Sequence, residues 1–205
     1  MSSVYDYLFL TLKRGAASHP ALAAQLRDIG GPALAAAGGE IVGQFAPQLG
    51  WAGDEAAVLV RWRGAPGDLT SILASDPVAS ARLDRLSPTL RPADTDRLAP
   101  GGVHVHRWFE VDAGAVDEFV ELSGEGWKRF ESLFDARIFG LLQADPTPRD
   151  TDAGIVRLLL ITRYGDHGVW EASRDPTTEA MQIFARRQQL TRSSWAASTR
   201  LVAPG

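Results

Sequence analysis

One run near the middle of the chain, Val103-His104-Val105-His106-Arg107-Trp108-Phe109-Glu110-Val111, sets most of the sequence's chemistry on alternate residues. Side chains of a strand point alternately to its two faces, so His104, His106, Trp108 and Glu110 share one face. Val103, Val105, Phe109 and Val111 share the other, with Arg107 the exception among them. His106 is the candidate general acid or base, since an imidazole titrates at about 6.5 and Glu110 or a tyrosine can orient it. His106 and Glu110 are therefore the expected catalytic pair. Two histidines at this spacing can also offer two nitrogens to a metal ion. Glu110 lies about 13 Å beyond His106 along an extended strand, too far to join them. Only His167, or a carboxylate from elsewhere, could complete such a set, so no metal and no other cofactor is predicted.

A second strand-like run, near residues 5–13, repeats the alternation. It sends Leu8, Leu10 and Leu12 one way and Tyr5, Tyr7, Phe9 and Thr11 the other. Arg137 and Arg163, on neighbouring strands, could hold a carboxylate or an enolate, or pair with Glu110 or Glu171. Tyr5, Tyr7, Phe9, His104, Trp108, Arg137 and Arg163 are thus the expected ligand contacts. A concave, mostly apolar space with a few convergent polar groups is the usual form of a small-molecule pocket. The alternative is an interior filled by its own aromatic side chains. Gly64-x-x-Gly67 and Gly165-x-x-Gly168 read as turns, because they lack the residues of a phosphate loop or a dinucleotide fingerprint. No Gly-x-Ser-x-Gly elbow occurs, and the absence of cysteine excludes thiolate chemistry and disulfides.

These residues need elements to hold them. After residues 103–111, the spacing of Val116, Phe119, Val120, Ser123, Trp127, Phe130 and Phe134 predicts a helix with one apolar face. Strands follow at about 136–143 and 155–164, separated by the turn-rich stretch Asp145–Gly154. Asp175 reads as an N-cap, with Pro176 opening a helix through Met181 and Phe184. The first half repeats this order with strands near 5–13, 40–46 and 56–63, and Gly30-Gly31-Pro32 interrupts its first helix. Asp76-Pro77 and Asp175-Pro176 match, and Asp76 reads as a cap like Asp175. The two halves also close alike, on Arg97-Leu98-Ala99-Pro100 and Arg200-Leu201-Val202-Ala203-Pro204. Two tandem repeats, 1–100 and 101–205, follow from this comparison. Each reads as a βαββαβ unit, whose helices cover one sheet face only. The fold class is therefore α+β: two ferredoxin-like units with antiparallel sheets packed face to face as a barrel within one chain.

The second half carries a family resemblance. His106-Arg107-Trp108-Phe109-Glu110-Val111, Glu125-x-Trp127, Phe134 to Leu141, Leu160 to Tyr164 and Trp170-Glu171 resemble bacterial NIPSNAP-like proteins over residues 103–202. That family belongs to the dimeric α/β-barrel superfamily, whose units pair through their sheets. The resemblance implies the same fold. It brings no catalytic signature, because the superfamily holds cofactor-free monooxygenases, cyclases, dehydratases and haem enzymes alike. Haem ligation by His104, His106 or His167 would rest on that analogy alone.

The chain's 205 residues are 45% hydrophobic and 22% charged, with net charge −4. No basic block favours nucleic acid or a membrane surface. The start, Met1-Ser2-Ser3-Val4-Tyr5-Asp6, lacks the order of a signal peptide, and a cytoplasmic location is expected. The expected function is binding or transformation of a small apolar or aromatic compound between the two sheets, by acid–base or cofactor-independent chemistry. The alternative is a non-catalytic binding or interaction module. Closure within one chain predicts a monomer with an internal pseudo-dimer, or a homodimer through the outer helices.

Overall fold

The computed structural model describes residues 3–15 and 18–202. Met1 and Ser2, used in reading the start of the chain, and Ala203 and Pro204 of the closing pattern lie outside the described residues. By internal contacts the chain divides into two compact units. One is the chain up to Ser87 with the segment from Ser198 onward, and the other is Pro88–Ala197. The fold class is α+β, and each unit has the βαββαβ order of a ferredoxin-like fold.

In the first unit, β1 (Val4–Leu12) leads into α1 (Ser18–Gln25), a single π-helical segment at Leu26–Gly30, and α2 (Gly31–Ala36). Pro32 supplies no N–H, and a Cβ on Gly31 would lie 2.8 Å from the Leu26 carbonyl oxygen. The wider π turn absorbs both constraints, so the helix is re-registered there and not broken. Next come β2 (Gly39–Pro47), β3 (Glu55–Trp62), the short α3 (Thr70–Leu73) and β4 (Val78–Pro88), in the sheet order β4-β1-β3-β2. Leu8, Leu10 and Leu12 pack with Leu22, Leu26, Leu34 and Ile72, which puts them under the helices. Asp76 caps no helix. It lies between α3 and β4 and accepts a 2.7 Å bond from the Lys13 ammonium, because the chain after Pro77 goes straight into an eleven-residue strand.

The second unit runs β5 (Val103–Asp112), α4 (Val116–Leu133), β6 (Ala136–Ala144), α5 (Pro148–Ala153), β7 (Ile155–Tyr164), α6 (His167–Ala172), α7 (Glu179–Gln189) and β8 (Thr191–Val202). Its sheet order is β8-β5-β7-β6. The end of β8 counts with the first unit, where Thr199–Val202 pair with Pro47–Gln44 of β2. Val103, Val105, Phe109 and Val111 share one apolar cluster with Phe119, Trp127 and Phe130 of α4.

Three local readings change. The stretch Asp145–Gly154 contains α5, opened by a capping box in which the Thr147 side chain accepts from the Asp150 N–H and Asp150 accepts from the Thr147 N–H. Gly165–Gly168 is not only a turn, because Asp166 caps α6 by accepting from the Val169 N–H. The N-cap of α7 is Thr178, not Asp175. Asp175 instead accepts from the Thr177 N–H and hydroxyl at 2.9 and 2.7 Å, a side-chain turn that competes with helix entry. Thr147→Ala is expected to destabilise the protein by about 1 kcal/mol, measured by urea unfolding. An unchanged midpoint would show that the box contributes nothing.

The two units share a register. β1 pairs with β3 from Val4 opposite Trp62, as β5 pairs with β7 from Val103 opposite Tyr164. β2 and β6 carry register shifts at corresponding places, between Ile41 and Gly43 and between Ile138 and Gly140. Leu8 therefore corresponds to Arg107, Val60 to Thr162, and Trp62 to Tyr164. In the first unit all three positions are apolar and fully buried. Trp62 fills the space beneath the helices, with Gly39 and Gly67 both pressed against its ring, and its indole N–H donates to Asp6 at 2.7 Å. In the second unit the same three positions are Arg107, Thr162 and Tyr164. That exchange opens a site.

Candidate ligand-binding site

The residues singled out in the sequence fall on the sheet faces turned away from the helices. Tyr5 and Tyr7 are fully buried, and burial raises the Tyr7 hydroxyl far above its usual range. Phe9 stacks on Trp51 at 5.1 Å with the Arg82 guanidinium over its ring. His104 and His106 are buried, and a ring nitrogen of His104 lies 3.0 Å from the Ala99 carbonyl. Burial pushes the His104 imidazole down to about 4 and the His106 imidazole down to about 3. Both are neutral at physiological pH, and an imidazole held so low is a weak base. Trp108 stacks on Trp195, and Glu110 is paired with Arg149 at 3.0 Å.

Arg137 and Arg163 lie together beside a cleft of about 450 Å³ with Arg91, Arg97 and Glu131. Arg163 is paired with Asp135, and Arg137 donates to the Glu131 and Ala136 carbonyls. Among the described residues no cluster of three or more His, Asp or Glu could hold a metal ion.

Across β5, the apolar face has a gap where Arg107 interrupts it. A cavity of about 380 Å³ opens there, between the sheet and helices α4 and α7, with every lining residue in the second unit. Its sheet floor is Arg107, Ile138, Leu160, Thr162 and Tyr164. Trp127 and Phe130 of α4 form one wall, and Met181, Phe184 and Arg187 of α7 the other. Gly126 of α4 makes room for this, because a Cβ there would collide with the Phe184 ring. Ser173, Arg174 and Pro176 form the rim, where Arg174 is exposed.

The charge of this cavity is unbalanced. Arg107, Arg174 and Arg187 line it, and no Asp or Glu does among the described residues. The Arg187 guanidinium lies 5.0, 5.2 and 4.6 Å from the ring centres of Phe109, Phe119 and Phe184. It donates at 3.2 Å to the Ser123 hydroxyl, while its Nε is buried with no acceptor. The indole N–H of Trp127 is likewise buried without an acceptor. Burial, reinforced by repulsion from Arg107, pushes Arg187 down to about 9. Burial, with repulsion from Arg174, pushes Arg107 down to about 10. Both therefore stay charged at neutral pH. Burial raises the Tyr164 hydroxyl, while Arg174, Arg107 and a hydrogen bond with Ser173 oppose that rise. The cavity is apolar in its walls, rich in donors and cationic. Such a space favours a flat organic molecule with a negatively charged or strongly accepting end.

The sequence carried one signal for this site, an arginine within an otherwise unbroken apolar alternation. Arg187 was less visible, because it follows Ile183 by four residues on the buried face of α7 and long side chains often lie along such faces with their heads in water. None of the cavity-lining residues is a histidine. The cavity therefore offers a haem iron no imidazole from His104, His106 or His167.

No protein-family model matches the chain, and neither does any curated protein sequence. Solved structures do match in fold. An anthrone oxidase-like protein is similar over 99% of this chain and 92% of its own, with TM-score 0.64 and 14% identity. Chlorite dismutase from Candidatus Nitrospira defluvii, in a mutant form, is similar over 98% and 92%, with TM-score 0.62 and 10% identity. A ferredoxin-fold protein from Listeria monocytogenes related to antibiotic biosynthesis monooxygenases covers 99% and 96%, with TM-score 0.53 and 7% identity. These likenesses define the class of fold: an α+β protein of ferredoxin-like units. At such identities they carry the fold alone.

Proposed function

We propose that this protein binds, and acts on, a small aromatic compound bearing an acidic oxygen, in the cavity beneath α4 and α7. The observation that carries this reading is a 380 Å³ aromatic-walled space lined by the buried Arg187 and the half-buried Arg107, with no carboxylate in its lining among the described residues. The size suits a ligand of two or three fused rings. A guanidinium about 4 Å from a developing oxyanion stabilises it by roughly 4 kcal/mol at an effective dielectric near 20. That equals about three pKa units. A carboxylic acid would therefore be held ionised and a phenol, ordinarily near 10, brought down to about 7, so that the electron-rich phenolate or enolate is populated at neutral pH. The fold is shared with an anthrone oxidase-like protein and a relative of antibiotic biosynthesis monooxygenases, names that are consistent with small-molecule chemistry. The NIPSNAP-like residues at 103–202 fit the same reading, because they include Arg107 and Trp127. No described helix is long and apolar enough to cross a membrane.

Titration with 2-naphthoate, followed by tryptophan fluorescence, tests the reading. Saturable binding is expected, with Arg187→Gln weakening it at least tenfold. The same titration on His106→Ala decides between the two faces of β5. Loss of binding there, with Arg187→Gln unaffected, would move the site to the histidine face and overturn the proposal.

A further inference from the structure

We infer that the natural ligand of this cavity carries two negative charges, as an aromatic compound with two ionised acid groups or one doubly ionised group. The inference rests on the reading above and goes beyond it in fixing the ligand's charge. Three guanidiniums line the space, and Arg174 at the rim is exposed, so water screens it. Arg107 is half-buried and Arg187 is only 7% exposed. These two are the charges that water does not balance.

Elsewhere in this unit, half-buried arginines are matched. Arg157 meets Asp150 at 2.9 Å, Arg91 meets Glu131 at 3.0 Å, and Arg163 is paired with Asp135. Among the described residues Arg107 and Arg187 have no such partner in the cavity wall, and they repel each other. A single carboxylate would offset one of them and leave the second buried and uncompensated, which is a costly arrangement. A ligand with two charges offsets both. The corresponding place in the first unit shows that the fold does not need a cation at Arg107, since Leu8 stands there and is fully buried.

The probes are 2-naphthamide, 2-naphthoate, 2-naphthyl phosphate and naphthalene-2,6-dicarboxylate, titrated at about pH 8, where the phosphate carries close to two charges. At least one dianion is expected to bind tenfold or more tighter than 2-naphthoate, and 2-naphthoate tenfold or more tighter than the amide. Preference for the phosphate places both charges on one group, and preference for the dicarboxylate places them on two. Either supports the inference. In Arg107→Gln and Arg187→Gln, each with its melting curve recorded, the dianion should lose its advantage over 2-naphthoate. Arg187→Lys, which keeps the charge, should restore part of it. If 2-naphthoate binds in an Arg187-dependent way and neither dianion binds more tightly, the two-charge inference fails and the proposed function stands. If 2-naphthoate does not bind, both fall.

Discussion

Between pH 6.5 and 4.5 the protein is expected to lose about 4 kcal/mol of folding stability through His104 and His106. In the unfolded chain both imidazoles take up a proton near pH 6.5. In the folded protein burial delays this to about 4 for His104 and about 3 for His106. The unfolded state thus binds more protons over this interval, and stability falls as pH falls, by about 1.4 kcal/mol per pH unit for each histidine. The unfolded imidazoles are only half protonated at pH 6.5, so each histidine contributes somewhat less than two full units of this slope, and the pair loses about 4 kcal/mol, a large part of the 5–15 kcal/mol typical of a domain, roughly. Asp150 contributes with a different timing. Its carboxyl is held below the usual carboxylate range by hydrogen bonds from Thr147 and Arg157 that outweigh burial. Its contribution is lost only as pH falls through that lower range. Urea unfolding at a series of pH values should show an uptake of nearly two protons between pH 6 and 5. In His106→Gln that uptake should drop to nearly one. An unchanged slope would show that the pair does not govern acid stability.

The same burial explains what could be read from the sequence and what could not. The alternation of Val103, Val105, Phe109 and Val111 was enough to place that face under helices, and Leu8, Leu10 and Leu12 did the same in β1. Strand limits followed from the apolar runs, and β7 runs over the expected residues, Ile155–Tyr164. Alternation says which residues share a face. It does not say which face keeps an empty volume, because that depends on how far a helix stands off the sheet. In the second unit that stand-off is set by contacts such as Phe184 over Gly126 and by Arg107 and Arg187, too polar to close the gap. The same limit hid the contrast between the units. Val60-Arg61-Trp62 and Thr162-Arg163-Tyr164 look alike as strings, yet an indole that fills its space and a phenol at the edge of a cavity differ in volume and in hydrogen-bonding needs. The helix α5 was missed for a local reason. Thr147-Pro148-Arg149-Asp150 has the composition of a turn, and only the reciprocal bonds between Thr147 and Asp150 make it the start of a helix.

If Arg187 is kept for a ligand, Arg187→Met should stabilise the free protein while abolishing binding of 2-naphthoate. The guanidinium is surrounded by Phe109, Phe119 and Phe184 and has one hydrogen bond to a side chain, to Ser123. The attraction of three ring faces for a cation is worth about 0.5–2 kcal/mol each. It opposes a desolvation penalty of several kcal/mol, roughly, that no carboxylate in the wall offsets. A methionine of similar length would keep the ring contacts through its thioether and remove the charge. Ser123 would lose only the incoming bond, since its hydroxyl donates to the Phe119 carbonyl at 2.7 Å. A gain of about 1–3 kcal/mol is therefore expected, or roughly 2–12 °C in melting temperature for a chain of this size. The opposite result, a fall in melting temperature of the Met variant, would identify Arg187 as a structural residue held by its rings. With 2-naphthoate present the ranking should reverse: saturating ligand should raise the melting temperature of the wild type and leave that of the variant unchanged.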